Sequence, residues 1–236
     1  SVARPSWRNA PMSNFMYVAP EQMMKDRAEF AQKGIARGRS LIAVIYDTGV
    51  VIVAENPSAS LYKVSEIYDR IAFAGVGKYN EFDRLREAGI RWADSTGFTY
   101  SREDVDARAL ANYYAQHLGD MFTEGSKPLE VELLVAQLGN ALRPTKIYRV
   151  AYEGTISDEP RFAVLGGDAE TVRQRFLRTE GGPIGLAQTL QHAIAAISGP
   201  ERTIPTADLE VGVLEERGKR RTFVRLSDAE VDTLRQ

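Results

Sequence analysis

Paired helical periods set between blocks of strand-like sequence predict an α+β fold, a four-layer αββα sandwich with an extra N-terminal helix. Three features carry the prediction. Four apolar, β-branched segments succeed one another between residues 41 and 76 with no helix between them; two amphipathic helical stretches follow together; and a second strand block is again followed by a helical pair. A parallel sheet of βαβ units would alternate strand and helix instead. Two facing sheets with helix pairs over their outer faces bury both sides of each strand, which suits near-continuous apolar runs.

The elements follow in order. Residues 1–19 hold Pro5, Pro11 and polar residues without periodicity, and are expected to be loose unless a neighbour orders them. Pro20 suits a first helical turn, and Met24, Ala28, Ala31 and Ile35 recur at near-helical spacing up to Gly38. Residues 41–46 and 50–54 flank an Asp47-Thr48-Gly49 turn as a hairpin, and 64–68 and 71–76 add two strands. Phe82, Leu85, Gly89 and Trp92 share one helical face, and Leu110, Tyr114, Leu118 and Met121 share another. Ser101 and Asp104 are spaced as a capping box ahead of that second helix. Residues 131–138, 146–152 and 162–165 form three strands. Asp168 is placed to cap the next helix and Pro183 to open its partner, whose Leu186, Leu190, Ile194 and Ile197 line one face before Gly199 stops it. Residues 209–214 and 221–226 make a closing hairpin, and Ser227 with Glu230 caps a terminal helix.

The 236 residues are 44% hydrophobic without a compositional break, so one domain over 20–236 is expected behind the 1–19 segment. A net charge of -2 provides no global positive field for nucleic acid or an anionic membrane. No run approaches the ~20 apolar residues of a spanning helix, and no basic segment followed by an apolar one opens the sequence. A cytoplasmic protein is expected. The absence of cysteine removes disulfides, thiolate nucleophiles and thiolate-bound zinc. His117 and His192 lie in helical stretches without metal-ligand spacing, so no metal or other cofactor is expected. Gly75-Val76-Gly77-Lys78 is not a phosphate loop, since Ala72 holds the place of its first glycine and Tyr79 follows the lysine; two glycines ending a strand permit a tight turn and close helix approach.

The stretch 27–91, with Lys33-Gly34-Ile35-Ala36-Arg37, Val53-Ala54-Glu55-Asn56-Pro57, Ser65-Glu66-Ile67-Tyr68-Asp69-Arg70 and Gly77-Lys78-Tyr79-Asn80-Glu81-Phe82-Asp83, resembles the proteasome core particle α subunits of actinobacterial type. Lys127-Pro128-Leu129-Glu130-Val131-Glu132-Leu133 and Asp158-Glu159-Pro160 extend the likeness over residues 12–227. The resemblance implies the N-terminal nucleophile hydrolase sandwich and a non-catalytic subunit in outer heptameric rings. Those rings stack on β subunits that hold the threonine-type peptidase activity. It also implies an N-terminal helix, matched by residues 20–37, against the neighbouring α subunit. Further implied partners are regulatory ring ATPases or ATP-independent activators, which dock through C-terminal tails, and translocating substrates tagged with a prokaryotic ubiquitin-like protein.

Carried over residue by residue, the resemblance makes Lys63 the lysine of the activator-binding pocket between adjacent α subunits. An ammonium suits a chain-terminal carboxylate held among backbone donors. It makes residues 1–19 a gate, with Phe15, Met16 and Tyr17 packing at the ring axis and Pro20 as pivot. The relatives' Tyr-Asp-Arg is replaced by Met16-Tyr17-Val18, so their ordered open-gate cluster does not transfer. Thr123, Glu124, Gly125, Ser126 and Lys127 match the loop of the pore annulus. The alternative is a catalytic N-terminal nucleophile hydrolase such as a β-type peptidase subunit, in which a freed hydroxyl or thiol begins the first strand and its own amine serves as base. Ser1 invites that alternative, but the first strand begins near Ser40 and the nucleophile's position falls at about Arg39, whose guanidinium cannot attack a carbonyl. Glu55 and Lys63 lie near the acid and lysine of the catalytic branch, a pair without a nucleophile to serve.

Overall fold

A computed structural model describes residues 19–141, 143–179, 185–218 and 221–236. Helix α1 (Pro20–Ala36) leads into strands β1 (Leu41–Tyr46), β2 (Gly49–Glu55), β3 (Val64–Tyr68) and β4 (Ile71–Gly77), then helices α2 (Tyr79–Thr99) and α3 (Ala107–Thr123). Strands β5 (Val131–Gln137), β6 (Lys146–Val150), β7 (Ile156–Glu159) and β8 (Phe162–Leu165) precede helices α4 (Ala169–Thr179) and α5 (Leu186–Ser198). Strands β9 (Leu209–Glu215) and β10 (Phe223–Arg225) and helix α6 (Asp228–Arg235) complete the order.

Two five-stranded antiparallel sheets result, β10-β9-β2-β1-β8 and β3-β4-β5-β6-β7. Helices α4 and α5 cover the first and α2 and α3 the second, giving the αββα layers. The two-residue period of the strands sorts their side chains between layers. Ile42, Val44, Val51 and Val53 face Leu190 and Ile194 of α5, whereas Leu41, Ala43, Ile52 and Ala54 face Ala72, Ala74, Leu134 and Ala136 of the other sheet. Ala43, Ala54, Ala72, Ala74, Ala136 and Ala163 interleave in that middle layer with larger Ile, Leu and Val side chains. Phe73 and Leu133 project the other way onto Leu110 and Tyr114 of α3. Phe73 is fully buried, and truncating it to Ala removes about 3–5 kcal/mol.

Helix α1 plugs one end of the sandwich. Its Ile35 enters the layer between the sheets, and Ala31 is buried beside β4 and β5. Gly75 and Gly77 serve close approach: a Cβ on Gly75 would meet the Phe82 ring at 2.8 Å, and Gly77 has φ +114° against the Glu130 carbonyl.

Three local expectations change. The second strand block has four members, because β7, with Ser157-Asp158-Glu159, lacks the apolar run that marks a strand and forms by pairing with β6. Ser101 caps a separate 3-10 turn (Arg102–Asp104) by accepting from Glu103 N, and Asp106 caps α3 by accepting from Ala109 N at 2.7 Å. Helix α5 begins at Leu186, and Pro183 lies outside the described residues. The Ser227–Glu230 capping box and the Gly199 stop are both present. Among the described residues no helix is long and apolar enough to cross a membrane.

Candidate functional site

The β1–β2 hairpin sets the site. Its register pairs Leu41 with Ala54, and Glu55 N donates to Ser40 O at 3.1 Å, so Ser40 lies opposite Glu55 and Arg39 emerges one residue beyond. The Glu55 side chain follows the helix-facing phase of Val51 and Val53 and is only 5% exposed. Arg39 donates to one of its oxygens, and Arg202, from the α5–β9 connection, spans both at 2.9 and 2.7 Å. Burial by itself would raise the Glu55 carboxyl; the hydrogen bonds and charges of Arg202 and Arg39 outweigh it and hold the group below the usual carboxylate range. A carboxylate clamped this way does not take a proton at neutral pH. These groups floor a cleft of about 640 Å³ whose walls also carry Arg37, Asp168, Arg175 and Glu201.

Lys63 reaches the same point from the other sheet. Its Nζ donates to Arg39 O and Glu55 O, both at 3.0 Å, while its own carbonyl accepts from Gly75 N at 3.1 Å. The side chain is therefore a strut between the sheets, and among the described residues two of its three N–H donors are used. Burial pushes the ammonium down to about 8, against the opposing pull of Glu210 and Glu55. The structure thus gathers Arg39, Glu55 and Lys63, which sequence reasoning had aligned only by resemblance. It adds Arg202 and Glu210, which that reasoning missed. Arg202 follows Gly199-Pro200-Glu201 and reads as an ordinary surface loop. Glu210 left a signal: it is the one charge inside an otherwise apolar strand start, Leu209-Glu210-Val211.

Ser40, the hydroxyl nearest the nucleophile's position, is buried and its nitrogen is a peptide nitrogen in mid-chain. Among the described residues the mouth holds no free amine beside a hydroxyl, the minimum for that chemistry.

The segment 123–127 lies at the far end of α3. Thr123 belongs to the last helical turn, its Oγ1 donating to Gly119 O at 2.9 Å, and Glu124 is the C-cap. Thr123, Glu124 and Ser126 are exposed, whereas Gly125 is tucked under Met121, where a Cβ would sit 2.6 Å from the Met121 carbonyl. Lys127 is tied by Nζ to Glu81 Oε1 at 2.6 Å. Pro20 is the exposed first residue of α1. Phe15, Met16 and Tyr17 lie outside the described residues.

An αββα sandwich with a helix in front of its first strand, and the Arg39 guanidinium at its mouth, defines the class: a sandwich of the N-terminal nucleophile hydrolase and proteasome type. The comparisons with known proteins give the family. The profile described as Proteasome subunit matches residues 35–199, and the chain belongs to that family. It is 60% identical over 227 residues to a protein of Acidimicrobium ferrooxidans named Proteasome subunit alpha, covering 95% of this chain and 96% of that one. Proteins of the same name from Sanguibacter keddieii and Xylanimonas cellulosilytica are 50% and 51% identical, over 94% and 90% of this chain and 89% and 92% of theirs.

Proposed function

We propose that this chain is a non-catalytic α subunit of a proteasome core, building the outer rings, controlling passage into a chamber formed by catalytic β subunits, and docking regulatory activators. The observation that carries it is the occupied mouth. Arg39 stands in mid-chain where a nucleophile would begin the strand, and Glu55, the nearby acid, is held ionised by two guanidiniums. The naming of its relatives as α subunits supports the same assignment.

Heptameric rings would place Lys63 in a pocket between neighbouring copies, where its ammonium meets the C-terminal carboxylate of a ring ATPase or an ATP-independent activator. A half-buried ammonium suits this task, since the contact forms with little water left to screen it. Residues 1–19 would converge on the axis and block it by excluded volume, with Pro20 as pivot, and residues 123–127 would line the annulus below. The particle would work in the cytoplasm on proteins carrying a prokaryotic ubiquitin-like tag. Native mass spectrometry of the chain with and without a β partner tests the assembly: closed seven-membered α rings capping β rings are expected, and a persistent monomer in both samples overturns the proposal.

A further inference from the structure

We infer that Glu210 is the positioning residue for Lys63: a buried carboxylate on β9 that fixes the β2–β3 connection and so sets where the ammonium stands. This rests on Lys63 being the contact for an activator's carboxylate, and it adds a residue from a distant part of the chain to that contact.

Along β9 the side chains alternate. Leu209, Val211 and Val213 face the helix layer, so Glu210 shares the inward phase of Gly212 and Leu214, between the sheets. A carboxylate there, 6% exposed, is costly unless its lone pairs are taken. They are taken by the connection that carries Lys63. Oε2 accepts from Asn56 Nδ2 and from the Lys63 backbone N–H, both at 2.8 Å, and Oε1 accepts from Val64 N at 3.0 Å. Arg225 Nε approaches Oε1 at 3.4 Å and neutralises the charge, its guanidinium lying 3.9 Å over the Tyr62 ring.

The two oxygens therefore grip both ends of the connection, Asn56 where it leaves β2 and Lys63-Val64 where it enters β3. Asn56 extends the hold by donating to Leu61 O at 2.8 Å and accepting from Ser58 N at 3.2 Å. Without Glu210 the N–H groups of Lys63 and Val64 lose their acceptors, and buried donors left unpaired drive a local shift. A shift of about 1 Å is enough to break a contact whose geometry is fixed on both sides. Glutamine cannot substitute, because one of its two ends donates and would face a donor.

The probe is a fluorescent peptide copied from the C-terminal tail of a ring ATPase activator, with a free terminal carboxylate, and its C-terminal amide as control. Binding to assembled particles is read by anisotropy for the wild type, Lys63→Ala, Glu210→Gln and the double variant. We expect each single variant to weaken the free acid by roughly tenfold or more, the double variant to weaken it no further, and the amide to be unaffected throughout. Hydrogen exchange should quicken at the Lys63 and Val64 amides while the β1–β2 ladder stays protected, which a general loss of stability would not produce. If Lys63→Ala weakens binding and Glu210→Gln does not, or if the two losses multiply, the positioning role is overturned and the docking proposal stands. If Lys63→Ala itself has no effect, the docking proposal fails first. Should Glu210→Gln not assemble, Asn56→Ala keeps the buried charge while removing one tie, and unchanged binding by that variant overturns the inference.

Discussion

Arg27 of α1 closes the end of α3, its Nε donating to the Phe122 carbonyl at 2.6 Å and its Nη2 to Gly125 and Met121 at 2.7 and 3.0 Å. The last carbonyls of a helix have no partners within it and carry the negative end of its dipole, so a guanidinium fork is well matched to them. The same contact sets where residues 123–127 stand relative to the N-terminal helix. Arg27→Ala is expected to cost about 2 kcal/mol in chemical denaturation and to speed hydrogen exchange over 121–127. Arg27→Lys should recover only part of this, because a single ammonium cannot span the three carbonyls in the fork's geometry. An alanine variant as stable as the wild type would show that the contact is incidental.

Lys63→Ala is expected to leave α ring assembly intact while abolishing activator-stimulated degradation of a protein substrate. The assembled state is checked by native mass spectrometry and the degradation by loss of substrate over time. Full stimulation in the variant removes Lys63 from the mechanism.

The depressed titration of Lys63 gives docking a pH dependence. The ammonium is the form that binds a carboxylate, and burial lowers it to about 8 in the free subunit. Below that pH affinity for an activator tail should be flat; above it affinity should fall by up to tenfold per pH unit as the proton is lost before binding. Lys63→Arg stays charged across this range and should abolish the decline. A decline that persists in the arginine variant would assign the titration to another group.

Removal of residues 1–19 is expected to raise hydrolysis of small peptides by the assembled particle, because the proposed obstruction at the axis is gone. The rate is compared with the full-length particle at equal concentration, and equality of the two counts against a gate.

The purified chain, without β subunits, is expected to show no turnover of fluorogenic peptides. A signal that survives repeated purification and is lost in Ser40→Ala would place a nucleophile at the mouth and return the protein to the catalytic class.

What the sequence determined by itself was the layering. Near-continuous apolar runs such as 41–46 and 71–76 and the helical face of Leu110, Tyr114 and Leu118 are local patterns: the runs demand cover on both sides and the helical face states which side must be buried. Strand β7 escaped because Ser157-Asp158-Glu159 has no apolar face; its place comes from the ladder with β6, a non-local pairing. Arg39, Glu55 and Lys63 could be singled out from the likeness to a family, but their convergence could not be seen. Only the tertiary structure decided that Arg202, 147 positions from Glu55, clamps it, and that Glu210 anchors the backbone of Lys63 itself. The physical reason is that a buried charge must find partners wherever the fold brings donors together, and neither propensity nor periodicity encodes a meeting between two sheets.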